Sequence, residues 1–104
     1  MANRERLHLT VLVDTSLVYY AVFDTVRIED GISQSPKRVY WFNDYQVKAG
    51  DHVILYSKPG TDVAKRRTDG ATNHFFYWGL KNTLWGAKDA CAVVVEVNDW
   101  ETSP

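Results

Sequence analysis

The sequence is short of cysteine, net charge and long apolar runs, and each shortage excludes a class of protein. The single cysteine, Cys91, cannot form an internal disulfide, which excludes a disulfide-stapled miniprotein and a zinc site built from several cysteines. Twelve Lys and Arg against 13 Asp and Glu leave a net charge of −1, which excludes a generally basic nucleic-acid-binding protein. No apolar run reaches the roughly 20 residues of a membrane helix. Because the polar start also lacks a signal-peptide core, we expect a cytoplasmic protein without membrane contact.

The chain that remains has the composition of a folded domain. It has 104 residues, of which 45% are apolar and 24% charged. This length gives one hydrophobic core and leaves no room for two. We therefore predict a single domain over residues 1–104, with frayed ends at 1–6 and 101–104.

Alternation with a period of two dominates the hydrophobic pattern. Apolar residues from Leu7 to Val13 and from Val93 to Val97 alternate with other residues, as in strands that bury one face. The stretch Leu17–Phe23 is apolar on both faces and rich in β-branched and aromatic residues, which predicts an interior strand. No helical period of ten or more residues is present. Turn residues separate about seven short strands, and the polar stretches 58–73 and 79–90 indicate long irregular loops. This pattern predicts an all-β sandwich or barrel.

Two segments carry a family resemblance. The first runs from Tyr45 to Tyr56 and holds an Ala49-Gly50 turn between two strands. The second begins with Phe76-Tyr77-Trp78-Gly79-Leu80 and continues through Asn82, Trp85 and the final strand Val93-Val94-Val95. Together, over about residues 40–97, they resemble the lamin tail domain of bacterial type. The resemblance implies an immunoglobulin-like β-sandwich that acts as an interaction module.

The basic residues of the 58–67 stretch are the strongest local charge feature. Lys58, Lys65, Arg66 and Arg67 could neutralise phosphates, but Asp62 and Asp69 lie within or beside the run. A solvated loop is the simpler interpretation of such a run. The alternative function is therefore a nucleic-acid-binding module, with weak binding expected.

The aromatic residues near the C-terminal third have two interpretations. Phe76, Trp78 and Trp85 lie within ten positions of one another. Large rings favour core packing in a domain of this size, but one face of the aromatic strand could instead contact a partner.

No catalytic or metal-binding motif is visible. His8, His52 and His74 are far apart and lack metal-ligand spacing, and Cys91 has no local partner that would activate a thiol. A small hydrolase using His74 with Cys91 or an Asp is a minor possibility. We therefore predict a non-enzymatic module without cofactor or metal. Its partner is expected to be another protein or a second copy, bound through aromatic surface or an edge strand.

Overall fold

A computed structural model describes residues 4–103. This part of the chain contains ten β-strands, one 3₁₀ turn at Leu17–Tyr19 and no α-helix. The all-β prediction is confirmed. The strands are β1 (Arg6–Thr10), β2 (Thr15–Ser16), β3 (Tyr20–Ile28), β4 (Gly31–Ile32), β5 (Arg38–Trp41), β6 (Gln46–Val47), β7 (His52–Tyr56), β8 (Val63–Arg66), β9 (Thr72–Tyr77) and β10 (Ala90–Glu96).

The first sheet has four strands in the order β1-β7-β9-β8. β1 pairs antiparallel with β7, β7 pairs parallel with β9, and β8 pairs antiparallel with β9. Of the two inner strands, β7 is the more apolar, and its three central residues Val53, Ile54 and Leu55 are all buried.

The second sheet is built around β3, its longest strand. β10 pairs antiparallel with one side of β3, and β4 and β5 pair with the other side. A short ladder between β2 and β6 lies apart from both sheets. The 3₁₀ turn that precedes β3 begins at Ser16, whose hydroxyl accepts a hydrogen bond from the Val18 N–H at 3.2 Å.

Side chains of both sheets meet in one core, which gives the fold a sandwich-like arrangement. Alternation points Val53 and Leu55 of β7 inward, where they are 1% and 0% exposed. Val22 of β3 meets them from the second sheet and is also fully buried. The core cluster consists of Val11, Leu17, Val22, Phe42, Val47, Val53, Leu55 and Phe76.

Two sequence-based expectations need correction. The stretch 58–73, expected as an irregular loop, contains β8 at Val63–Arg66. All four residues of β8 are exposed, so this edge strand carries no hydrophobic pattern, and it joins the sheet by pairing with β9. The stretch Leu17–Phe23, expected as one strand, opens instead with the 3₁₀ turn that Ser16 caps. The stretch 79–90, also expected to be irregular, contains no strand up to Asp89, but its last residue, Ala90, opens β10.

The chain ends also differ from expectation. Residues 1–3 and 104 lie outside the described part of the molecule. The frayed N-terminal end was predicted to extend to residue 6, but Arg6 opens β1, and Glu5 accepts hydrogen bonds from the backbone of Leu84 and Trp85. No helix in residues 4–103 is long and apolar enough to cross a membrane.

Candidate functional site

Three of the four basic residues singled out in the sequence lie against the outer face of the first sheet. The Lys58 ammonium lies 5.0 Å from the centre of the Tyr56 ring, and that of Lys65 lies 5.8 Å from the Phe75 ring. Arg67, two positions after Lys65, forms an exposed ion pair of 3.0 Å with Asp69. Arg66 belongs to the opposite side of β8, because side chains alternate along a strand.

Cross-strand pairing extends this surface over the whole first sheet. Tyr56 on β7 lies between Arg6 on β1 and Tyr77 on β9, and Ile54 lies between His8 and Phe75. The Tyr56 and Tyr77 rings are nearly parallel, with centres 5.2 Å apart and planes 10° apart. We call this surface the aromatic-basic face; it consists of Arg6, His8, His52, Ile54, Tyr56, Lys58, Val63, Lys65, Arg67, Phe75 and Tyr77.

Two histidines on this face are hydrogen-bonded to each other. His8 Nε2 lies 2.7 Å from His52 Nδ1, so one of the two nitrogens donates and the other accepts. Burial lowers the pKa of His8 below its ordinary value of 6.5, and the nearby His52, Arg6 and Arg67 lower it further. Within residues 4–103, no group of three His, Cys, Asp or Glu side chains is placed to hold a metal ion.

His74, the third histidine, belongs to a buried chain of hydrogen bonds. Its Nε2 lies 2.8 Å from Asp51 Oδ2, and its Nδ1 lies 2.9 Å from the Tyr45 hydroxyl. Burial is the main cause that raises the pKa of Tyr45, followed by the carboxylates of Asp62 and Asp51. The hydroxyl therefore keeps its proton at neutral pH. Asp51, His74 and Tyr45 thus form one continuous hydrogen-bonded chain, and Cys91 lies apart from it on β10 of the other sheet.

The three aromatic residues named in the sequence pack toward the core. Phe76 is 5% exposed and makes edge-to-face contacts with Phe42 and Tyr45, with ring centres 5.2 Å apart in both pairs. Trp78 and Trp85 are partly buried against the core cluster, and their ring centres are 6.2 Å apart.

Two other tryptophans, Trp41 and Trp100, are exposed, and the sequence analysis did not single them out. Trp41 and Trp100 are 46% and 45% exposed, and their ring centres are 5.2 Å apart. The Trp41 indole N–H donates to the Val18 carbonyl at 2.7 Å, which fixes the ring on the surface. The signal was present in the sequence: if Tyr40 and Phe42 face the core, then Trp41 must face outward.

Trp41 is part of an apolar outer surface on the second sheet. On β3, Ala21 lies between Trp41 and Val95, and Phe23 lies between Val39 and Val93. We call these six residues the apolar face. None of them is charged, although the outer face of an antiparallel sheet that meets only water is commonly polar.

The strand β10 forms one border of this apolar face. Its one neighbouring strand in the described part of the chain is β3. Backbone bonds from Arg27 N–H to Asp89 O and from Val97 N–H to Tyr19 O show that the odd-numbered residues of β10 face β3. The backbone N–H and C=O groups of Ala92 and Val94 therefore point away from the sheet.

An apolar groove opens between β10 and the segment after β1. It has a volume of about 220 Å³. Leu12 and Val13 lie at its rim and are 83% and 63% exposed, and Val94 is 41% exposed. Such exposure of adjacent large aliphatic residues beside an apolar groove is typical of a contact surface.

Comparisons with known proteins leave the family open. No family model, curated protein or solved structure matches this chain. The resemblance of residues 40–97 to lamin tail domains therefore rests on their sequence alone and stays a prediction.

Proposed function

We propose that this chain is a non-enzymatic interaction module that self-associates, with β10 of one copy pairing antiparallel to β10 of a second copy. The observation that carries the proposal is the unprotected edge of β10. The other outer strands of four or more residues, β1, β5 and β8, each carry Arg or Lys, which discourages pairing between molecules. β10 carries neither and consists mainly of alanine and valine.

The sequence of β10 is compatible with antiparallel pairing to itself. A two-fold axis through Val93 would set Ala92 opposite Val94 of the second copy, so that their outward-pointing backbone groups bond in pairs. The same register sets Glu96, the one charged residue of β10, opposite Ala90. No like charges meet, and the β-branched valines lie at the centre, where they favour strand pairing.

Apolar surface beside the strand would add to the association. Leu12 and Val13 stand next to Val94 at the rim of the groove, and the apolar face borders β10 on the other side of the sheet. Removing these side chains from water is the main source of favourable free energy in such contacts. A second copy offers the same groove and the same exposed side chains, as a symmetric interface requires.

Three further expectations belong to this proposal. An interaction role agrees with what the lamin tail resemblance implies. His74 is buried and hydrogen-bonded between Asp51 and Tyr45, which supports a structural role for this histidine. The lone, buried Cys91 agrees with a reducing compartment, and the cytoplasm remains the predicted location.

The test is the mass of the particle in solution and its response to an edge substitution. We expect the wild-type chain to sediment as a dimer at micromolar concentration, and Val94→Lys to sediment as a monomer with an unchanged circular dichroism spectrum. Val63→Lys is the matched control, since Val63 is 43% exposed on β8 against 41% for Val94. If the wild-type chain is still a monomer at about 100 μM, any dimer has a dissociation constant above that concentration, which is too weak for a functional contact. This result would refute self-association. Equal effects of the two lysines would also refute the assigned edge.

A further inference from the structure

The aromatic-basic face brings Lys and Arg side chains together with half-buried aromatic rings on one side of a sheet. Its four cations outnumber the two carboxylates next to it, Asp69 paired with Arg67 and Asp62 bonded to the Tyr77 N–H. Its charge is therefore locally positive although the net charge is −1. We propose that this face binds a single-stranded nucleic acid, with bases stacked on Tyr56 and Phe75 and phosphates held by the surrounding Lys and Arg side chains.

The ring geometry favours bases over a merely anionic surface. Tyr56 and Phe75 lie on the adjacent inner strands β7 and β9, with ring centres 6.5 Å apart and planes 21° apart. Successive unpaired bases can stack on such a pair, and each stacked base contributes without regard to its identity. Tyr77 contributes less, because the backbone of Gly60 packs directly on its ring.

The positions of the lysines agree with this arrangement. In the free chain, the ammonium groups of Lys58 and Lys65 lie over the Tyr56 and Phe75 rings. A lysine side chain is long and flexible, so a base can replace the ammonium on the ring while the ammonium moves to the adjacent phosphate. Both lysines therefore lie close to where the phosphate backbone of a nucleic acid would run if its bases stacked on these rings.

The number of cations sets the strength and salt dependence of binding. Arg6, Lys58, Lys65 and Arg67 give four phosphate contacts, which correspond to a log-log salt slope of about −2.8 on a single strand. The weak binding expected of the 58–67 stretch rests on its charges alone, whereas this face adds Arg6 of β1 and two rings on which bases can stack. Asp69 competes for Arg67, but its side chain is 54% exposed, so this ion pair is screened by water.

A single strand is a better ligand for this face than a duplex. Stacked and paired bases in a duplex cannot reach Tyr56 or Phe75, which leaves only its phosphates to bind. The site lies on the opposite sheet from β10, so it does not depend on the proposed self-association.

The experiment is fluorescence anisotropy with labelled 12-nucleotide strands of DNA and RNA, and with the corresponding DNA duplex, at several salt concentrations. We expect micromolar binding of a single strand at low salt, with duplex binding at least about tenfold weaker. Binding of either the DNA or the RNA strand supports the proposal. Absence of single-strand binding at about 100 μM protein in 50 mM salt would overturn it.

Substitutions separate stacking from charge. Tyr56→Leu with Phe75→Leu keeps apolar surface but removes both rings, and we expect at least about a tenfold loss of affinity. Lys65→Gln with Arg67→Gln should reduce the salt slope by about 1.4. Lys37→Gln with Lys88→Gln is the matched control, because it removes the same charge outside the face. If both glutamine pairs lose affinity equally, binding is only unspecific charge attraction and the site is refuted. The site is also refuted if the double leucine variant binds as tightly as the wild type. Since Val94→Lys leaves this face intact, failure of the dimer and failure of this site are distinguishable.

Discussion

His74 and Asp51 form a buried hydrogen bond that ties two inner strands of the first sheet together. The nitrogen-to-oxygen distance is 2.8 Å, and each side chain is 9% exposed. The Asp51 carboxylate accepts two further hydrogen bonds. One comes from the Thr72 N–H at the start of β9, and the other comes from the Lys48 N–H in the turn before β7. One carboxylate thereby closes the turn and fixes the start of the neighbouring strand.

Asp51→Asn should make the fold less stable at neutral pH and less sensitive to acid. Burial by itself raises the pKa of Asp51, but the hydrogen bonds from His74, Lys48 and Thr72 outweigh burial and hold this pKa below its ordinary value of 3.8. A lowered folded-state pKa stabilises the fold above the unfolded-state pKa, and this contribution is lost as the pH falls through the folded-state pKa. We expect a loss of about 1–3 kcal/mol at pH 7, measured by urea denaturation.

The pH dependence gives this expectation its control. The stability difference between wild type and Asp51→Asn should begin to shrink below about pH 4, where the carboxyl of the unfolded chain takes up a proton, and should continue to shrink as the pH falls through the lower folded-state pKa. Asp69→Asn, which removes an exposed carboxylate, should change the stability by less than about 0.5 kcal/mol. A constant difference between pH 7 and pH 3 would contradict the role of the ionised carboxylate.

Glu5→Ala should release the irregular segment that precedes β10. The Glu5 carboxylate accepts hydrogen bonds from the Ser57 hydroxyl at 2.7 Å and from the backbone N–H groups of Leu84 and Trp85 at 2.6 and 2.7 Å. Without it, these donors lose a charged acceptor, and we expect a loss of about 2–3 kcal/mol in urea denaturation. Hydrogen exchange at Leu84 and Trp85 should accelerate. Glu29→Ala, in an exposed turn, should leave both measurements unchanged.

The strands could be predicted from sequence where a buried face imposes alternation. β1 shows that pattern most clearly, because Leu7 and Leu9 pack against the core while the alternate residues of the strand are exposed. β8 could not be predicted in this way. Its four residues are exposed and it joins the sheet by backbone pairing with β9, which imposes no pattern on the sequence. The 3₁₀ turn was missed because Leu17–Tyr19 has strand-like composition and only the Ser16 cap marks it.

The candidate surfaces depend on register, which alternation alone does not supply. The sequence placed Lys58 and Lys65 in one polar stretch, but their positions over Tyr56 and Phe75 follow from the pairing of β7, β8 and β9. His74 and Asp51 are 23 residues apart, and only the parallel pairing of β7 with β9 brings them together. Non-local pairing of this kind has no local signature in a single sequence.

Gly60→Ala should destabilise the fold for a steric reason. A Cβ atom at position 60 would overlap ring carbons of Tyr77, so the loop or the ring would have to move. Overpacking of this kind costs about 1–3 kcal/mol, which thermal and urea denaturation would both detect. Gly86→Ala is the matched control, because its nearest atom would be the Thr83 hydroxyl oxygen at 3.8 Å, an ordinary contact. Similar losses for both alanines would show that backbone flexibility, and not the Tyr77 ring, decides the effect.

Trp85→Ala tests how much of the irregular segment belongs to the core. For a fully buried tryptophan we would expect a loss of about 3–5 kcal/mol, from lost transfer free energy and the cavity left behind. Trp85 is only partly buried against the core, beside Trp78. Its indole N–H is buried without a hydrogen-bond partner among the described residues, so removing the ring also removes an unpaired polar group. We therefore expect a smaller loss of about 2–3 kcal/mol in urea denaturation.

The control for Trp85 is the exposed tryptophan Trp100. Trp100→Ala should cost less than about 1 kcal/mol, because its ring is 45% exposed and packs on Trp41 at the surface. A loss below about 1 kcal/mol for Trp85→Ala as well would place Trp85 among surface side chains. In that case Trp85 would count as a partner contact, and its contact with Trp78 would no longer explain how residues 79–89 are held against the core.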